Sequence, residues 1–460
     1  MTLSVSGNHH EFDSPGSSVF DLPLRQDFLT HGHTPSGAID SRINTKILQQ
    51  EVTHVHDKHS FIVISGGTGG NAICSAFKDA SYVLPVSDDG GSSSEIIRVL
   101  GGPSIGDVRS RLIRLIPLSP PSSPLSAIRN LLAYRLPAGC IEQKARDEWR
   151  EIVEGRSKLW SGIPNDRKET IRGFLVHFEG EVLKRAHKNF DFRNGSIGNF
   201  FLAAAQGFFR SLPSAIFLFS SITNSHATIY PAVVTNHTVT IAAELLDGER
   251  LVGQCEISHP VSHPPATLDI TLSFPEFMDG MGGTYVESQN VMFDSSSKAT
   301  QTSLPSSIKR VLYINAHGME VHPSPNPDYI ESLGTKDVLI YSCGSLWTSI
   351  MPCLAMRGVA KGIARSPSLR AKILLLNVKN DRETEGYSAM DYIQAICRTL
   401  NASYDSQGFG VGKAVTSYPV SAFITDLIYL KGTEVEVDVE SITASRHIWM
   451  SGESEAYQVI

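Results

Sequence analysis

Residues 61–111 read FIVISGGTGGNAICSAFKDASYVLPVSDDGGSSSEIIRVLGGPSIGDVRSR, and the fold is decided here. Phe61 to Ile64 is an apolar run of strand type. It stops at Ser65-Gly66-Gly67-Thr68-Gly69-Gly70 and passes into a helical stretch, Asn71 to Lys78. A second apolar run, Tyr82 to Val86, stops at Ser87-Asp88-Asp89-Gly90-Gly91-Ser92-Ser93-Ser94. A third glycine-bearing turn, Gly101 to Gly106, ends in Asp107 and Arg109. Short apolar runs bounded by small-residue loops predict buried parallel strands with ligand loops at their carboxyl ends. The expected class is α/β: a Rossmann-like, mostly parallel sheet flanked by helices.

Each loop carries its own chemistry. Gly67-x-Gly69-x-x-Ala72 has the form of a dinucleotide fingerprint, with Asp88 and Asp89 about 20 residues on. Glycines let a backbone approach a diphosphate, and a helix amino terminus offers free N–H groups and a positive dipole end. Two adjacent acids exceed what one ribose needs. Asp88 and Asp89, with Asp107, are candidates to hold Mg²⁺ or to orient an attacking hydroxyl. The plainer alternative is an Asp-Gly turn with a helix cap from Ser92–Ser94. Arg109 either clamps a phosphate bidentately or pairs with Asp107 or Asp88.

Farther along, residues 125–137 predict an amphipathic helix, and 141–190 a charged, helical surface insertion without chemistry. Gly198-Asn199 opens the apolar stretch Phe200 to Ile222. Asn199 is a helix cap or a ligand amide. The stretch is broken by Gln206, Arg210 and Pro213, so it is read as a helix, a turn and a strand rather than a membrane span. Asp247-Gly248 between strand-like runs marks a hairpin and makes 227–258 antiparallel. The α/β pattern returns with strands at Arg310–Asn315, Asp337–Tyr341 and Ala371–Leu376. Gly344-Ser345 after the second of these forms another anion cradle. Cys343 has no base or positive charge beside it in sequence, which argues against a nucleophile. The loop Asn380 to Glu385 either binds sugar hydroxyls or is a solvated helix cap. Residues 416–439 suggest two more strands.

Composition narrows the class. The chain has 460 residues and a net charge of −7 without a dense Lys/Arg stripe, which speaks against nucleic acid. Its six cysteines are scattered and suit a reducing cytoplasm rather than a zinc site or disulfide frame. Neither a secretory leader nor a membrane segment is evident. Residues 1–58 are expected to be a disordered polar tail whose His54 and His56, with nearby His59, are solvated rather than metal-bound. The main domain is expected over 59–435, with a flexible insertion at 287–307 and a peripheral end at 436–460. A homodimer is the expectation on general grounds.

In order along the chain, GGTGG, SDDGGSSS, GDVRSRL, LLAYRL, SIGNFFLAA, AAELLDGERLVGQCEI, CGSLWTSIMPCL and LLLNVKNDRETEGYSAMDYI resemble one superfamily. It joins 2-phospho-L-lactate transferase (CofD) with the gluconeogenesis-factor proteins (YvcK). The DDGGSS and GDVR loops are closer to the second branch, and the tail and insertions resemble a eukaryotic, fungal-like member. The second branch usually has Gly-Pro-Gly-Ser-Leu-Tyr where Ser342 to Trp347 stand here, and Thr-Gln-Pro-Gly-Glu-Thr where Lys379 to Thr384 stand.

The resemblance implies a nucleotide or diphosphate ligand. The transferase branch moves a phospholactyl group from a nucleoside-diphosphate-activated donor to a deazaflavin hydroxyl, with Mg²⁺. The other branch resembles a UDP-sugar-binding metabolic regulator. The expected reading is a transferase of a phosphorus-containing group. Gly66, Gly67, Thr68, Gly69, Gly70, Ser92, Ser93, Asn199, Gly344 and Ser345 would bind the nucleotide. Asp88, Asp89 and Arg109 would be catalytic, and Asp88, Asp89 and Asp107 would hold the metal. A UDP-sugar sensor is the alternative, and an NAD-dependent oxidoreductase a more distant one.

Overall fold

The computed structural model describes residues 59–66, 69–77, 79–259, 303–404, 416–444 and 457–459. The expected tail at 1–58, and the expected insertion as far as residue 302, lie outside these. Among the described residues eleven strands form two sheets. The first seven are β1 (Phe61–Ile64), β2 (Ser81–Leu84), β3 (Thr228–Pro231), β4 (Thr240–Leu245), β5 (Arg250–Val252), β6 (Ile308–Ile314) and β7 (Glu320–Val321). They are followed by β8 (Val338–Tyr341), β9 (Ala371–Leu375), β10 (Asp426–Leu430) and β11 (Tyr457–Val459).

The main sheet has the order β11-β10-β9-β8-β1-β2-β3. Its first pairing is antiparallel and every other is parallel. Ile62, Val63 and Ile64 of β1 are wholly buried, as are the four residues of β8 in all but traces. Such uniformly apolar strands belong in the middle of a sheet covered on both faces. From β1 the chain builds outward through β2 and β3. It then returns to the other side of β1 with β8 and builds outward again. The strand order therefore reverses between β1 and β8, where open α/β sheets leave a crevice at the carboxyl ends.

The second sheet, β5-β4-β6-β7, is antiparallel throughout. The Asp247-Gly248 hairpin joins β4 and β5 as expected. Three neighbouring expectations are corrected. β3 belongs to the parallel sheet, paired with β2. The run after Val252 is a short helix, Gln254–Ser258, because Gly253 turns the chain at φ 92°. The strand at 308–314 pairs antiparallel with β4, so the parallel pattern resumes only at β8.

The stretch Phe200 to Ile222 is two helices, Ile197–Phe209 and Leu212–Thr223, with no strand. Arg210 ends the first at φ 50°. The Ser211 hydroxyl then accepts from Ser214 N at 3.2 Å, and Pro213 suits a first turn. No helix among the described residues is long and apolar enough to cross a membrane. The end of the chain holds one strand over 416–439, β10, rather than two. A helix, Val439–Ala444, follows it, and β11 extends the sheet.

Residues 141–190 are helical, as Glu142–Val153 and Asn165–Lys184, but they are not a surface appendage. Trp149 and Phe178 are buried and meet Phe200 at ring-centroid distances of 5.0 and 4.5 Å, and Phe192 closes the cluster. The polar faces are charged, which is why the sequence suggested a solvated insertion. The apolar stripe instead anchors the helix Ile197–Phe209. Trp149→Ala should therefore cost about 3–5 kcal/mol, the usual range for emptying a buried aromatic site. Urea denaturation followed by circular dichroism would measure it. A loss under 1 kcal/mol would return the segment to the surface.

Candidate functional site

The loops after β1 and β8 touch at the reversal point. A side-chain carbon added at Gly69 would lie 2.8 Å from Gly344 Cα, so these two turns pack backbone against backbone. At Gly70 it would lie 1.9 Å from Ser65 Oγ and 2.7 Å from Arg111 Nη2. Arg111 is buried in the helix Gly106–Arg114. It donates to Gly70 O at 2.7 Å and Ser65 Oγ at 2.6 Å, and its guanidinium lies 4.7 Å from the Tyr82 ring centroid. The first glycine turn is thus clamped by an internal arginine. Gly67 and Thr68 lie outside the described residues.

Asp88 and Asp107 are brought together. The Asp88 carboxylate lies against Gly106, where an added carbon would be 2.9 Å from Oδ2. Asp107 lies against Gly66 in the same way, at 3.1 Å. Gly90 N donates to Asp88 Oδ1 at 2.9 Å. Burial, and next the Asp107 charge, push Asp88 up to about 8. Asp89 turns elsewhere: its Oδ1 accepts from Cys255 N at 2.8 Å, which ties the helix after β5 to the end of β2. Burial raises its carboxyl as well. The three acids therefore do not converge. Among the described residues no group of three or more His, Cys, Asp or Glu side chains could hold a metal ion. Two carboxylates in mutual repulsion still fit Mg²⁺, which typically takes one or two of them together with phosphate oxygens.

Above this pair begins the helix Gly91–Leu100. Ser92–Ser94 lie within its first turn, so they do not cap it from outside. Ser92 Oγ accepts from Asn199 Nδ2 at 2.8 Å and lies 3.5 Å from Arg135 Nη1. Asn199 is buried in the first turn of its own helix, whose cap is Ser196. Its Oδ1 has no partner. Arg109 pairs with neither Asp88 nor Asp107. It donates to Ala133 O at 3.1 Å and Leu132 O at 3.4 Å, while its buried Nε has no acceptor. Burial, and then the nearby Arg135 charge, pull it down to about 10. The Arg135 side chain is exposed. Two neighbouring guanidinium groups beside a helix amino terminus form a place suited to an anion.

The second anion cradle expected at Gly344-Ser345 is filled by the protein itself. Trp347 N and Thr348 N both donate to Glu383 Oε2, at 2.9 and 3.1 Å. Thr348 and Ser258 hydroxyls donate to Oε1 at 2.5 and 2.6 Å. Burial and then Asp381 still push Glu383 up to about 7. Asn377 brackets Gly344 through its N–H and its carbonyl, and Ser345 Oγ donates to Asp381 Oδ2 at 3.0 Å. The loop Asn380 to Glu385 is accordingly knitted to the second glycine turn rather than solvated. Burial pushes the Cys343 thiol up, which agrees with an unreactive residue.

Sequence reasoning passed over Arg111, Arg135 and Glu383. Arg111 stands two residues after Arg109, and only the helical phase decides which one faces the glycine turn. Arg135 ends a stretch noted only as amphipathic. Glu383 was noted as part of a loop, and its use as an internal anion depends on a residue 36 positions away.

Parallel strands with glycine turns at their carboxyl ends and a reversal of strand order between β1 and β8 define a Rossmann-like α/β protein. The chain belongs to the CofD family: residues 61–446 match the model described as 2-phospho-L-lactate transferase CofD. An uncharacterized protein of Saccharomyces cerevisiae is 35% identical over 417 residues, covering 82% of this chain and 91% of the relative. The gluconeogenesis factor of Bacillus subtilis is 21% identical, with 75% of this chain and 77% of the relative covered. Among solved structures, a member of the UPF0052 family from Bacillus halodurans superposes with a TM-score of 0.53 at 19% identity. That match covers 85% of this chain and 91% of the other.

A carboxyl raised in the folded state favours folding at low pH, so this contribution to stability falls as pH climbs from about 4 to about 8. Asp88→Asn removes that loss. It should be more stable than the parent at pH 8.5, by about 1–3 kcal/mol as for relief of an uncompensated buried group, with the gap narrowing at pH 5. Thermal unfolding at the two pH values checks this. A constant gap would mean that the Asp88 charge is already compensated.

Proposed function

We propose that the crevice at the β1–β8 reversal binds a nucleoside-diphosphate-activated donor and transfers its phosphorus-containing group to an acceptor hydroxyl. The observation that carries this reading is the facing pair Asp88 and Asp107, seated on glycine backbone beneath a helix amino terminus flanked by Arg135 and Arg109. The glycine turn and the first N–H groups of the helix Gly91–Leu100 would face the diphosphate. Arg135, the exposed arginine of the two, would neutralise charge on the leaving phosphate, and Arg109 would hold the positive potential behind it. Mg²⁺ bound by Asp88 and Asp107 would supply further charge neutralisation on the phosphate oxygens.

In the reaction the acceptor oxygen attacks the donor phosphorus and a new P–O bond forms. The bond to the bridging oxygen breaks, and a nucleoside monophosphate leaves with its electron pair. The acceptor proton passes to the Asp88 carboxylate. Asp89 and Glu383 position walls of the crevice and take no part in the chemistry.

A second reading is a UDP-sugar-binding regulator. It is favoured by how many expected site groups are engaged within the fold, namely the catalytic candidates Asp89 and Arg109 and the binding candidates Gly344 and Ser345. The relatives named as gluconeogenesis factors are consistent with it. The two readings part in one experiment. The protein is incubated with Mg²⁺, donors such as diphosphate-activated lactate on guanosine or uridine, and a hydroxyl acceptor. The transferase reading expects acceptor-dependent release of nucleoside monophosphate, lowered at least 100-fold in Asp88→Asn. Tight UDP-sugar binding without release would favour the regulator. For either reading, Arg135→Ala should weaken nucleotide binding about tenfold, the equivalent of about 1.4 kcal/mol, by isothermal titration calorimetry. Unchanged affinity would remove Arg135 from the phosphate site.

A further inference from the structure

A separate cavity of about 440 Å³ lies between the helices Gly91–Leu100, Asn165–Lys184 and Ile197–Phe209. None of the strand-end site residues lines it. The volume is within the span of small-molecule sites, which run from about 300 to 1,000 Å³. Its walls divide by chemistry. Ile96, Leu100, Ile105 and Phe178 give it an apolar floor. Gln206 and Asn236, bonded to each other at 3.0 Å, stand at one side. His177, Arg185 and Arg210 complete the polar part.

The charge balance has one sign. Among the described residues Glu181 is the only acid in the lining, and its carboxylate is taken up by Lys184 at 2.7 Å and Arg185 at 2.8 Å. Arg210 is exposed and has no acidic partner among the described residues. It is held in place by backbone, since it ends its helix with φ 50° and donates its N–H to Gln206 O. The cavity thus offers an apolar floor and a positive rim. A water-filled packing gap would not need an arginine presented at its mouth, and a surface anion site would not need the apolar floor.

We propose that this cavity is a second ligand site, for a small anionic molecule with an apolar body and a carboxylate, sulfonate or phosphate head. The body lies on Ile96, Leu100 and Phe178, and the head meets Arg210. This assignment is independent of the reaction at the strand ends.

8-Anilinonaphthalene-1-sulfonate has this chemistry and reports its own binding by fluorescence. The full chain should bind it with one-to-one stoichiometry. Gly207→Phe places a ring at the cavity wall, and an added carbon there meets nothing within 4 Å, so the variant should fold normally. It should abolish the fluorescence. Arg210→Glu should raise the Kd at least tenfold, and Arg210→Lys should largely restore it. Circular dichroism confirms that each variant is folded. Multi-site binding that ignores both substitutions would overturn the proposal. So would binding lost in Asp88→Asn but kept in Gly207→Phe, which would place the probe in the strand-end crevice.

Discussion

The contact between the two glycine turns at the β1–β8 reversal is the constraint on which the site depends. A side chain at Gly69 would run into the backbone of Gly344, and Gly344 holds a φ of 138° that suits glycine. Arg111 closes the arrangement from below, with two hydrogen bonds and an aromatic face. A buried guanidinium is costly unless its donors are used. Here two of those donors fix the helix Gly106–Arg114 against the turn after β1, while Nε has no acceptor. Asp107 rides on that helix, one turn before Arg111, so the clamp also sets where Asp107 can stand.

The remaining walls follow from anions and donors placed inside the fold. Asp89 joins the antiparallel sheet to the end of β2 through Cys255 N. Glu383 satisfies the amino terminus of the helix after the second glycine turn, and through Ser258 it reaches the same short helix that Asp89 holds. Two carboxylates thus stitch both sheets and the 377–385 loop into one rim. Asp88, at the end of β2, has its carboxyl raised by burial and then by Asp107, and groups perturbed in this way are where function is looked for first.

The parallel sheet was legible because β1, β2, β8 and β9 are short apolar runs with small-residue stops. The positions of the glycine turns at strand ends were legible for the same reason. The two-helix reading of 197–223 was not, because an interrupted apolar run has no period that separates a buried helix from a strand. The placement of β6 was missed because a strand's sequence does not say which sheet it joins. The helical segment 141–190 was recognised as helix but misjudged as surface, since charged faces dominate the pattern and the aromatic stripe only gains meaning against Phe200. At the site, Asp88 and Asp107 were legible as acids near glycine turns. The division of labour between Arg109 and Arg111, and the internal use of Asp89 and Glu383, depends on partners distant in sequence.

The pairing of β1 with β8 has a consequence for how the protein is made. Phe61 aligns with Val338, so β1 meets its second neighbour 277 residues later. During synthesis at roughly 5–20 residues per second, that interval lasts about 14–55 s. Through it the first half of the sheet exists with the long apolar side of β1 unpaired, a surface that invites strand addition from other nascent chains. An interior strand of the finished sheet is the edge strand of the growing one. The Arg111 clamp lies within residues 65–111 and can form early, but the contact between the two glycine turns waits for Gly344 and the rim for Glu383. The reversal point is therefore completed late, and until then β1 is an edge whose unpaired side must be kept from other strands.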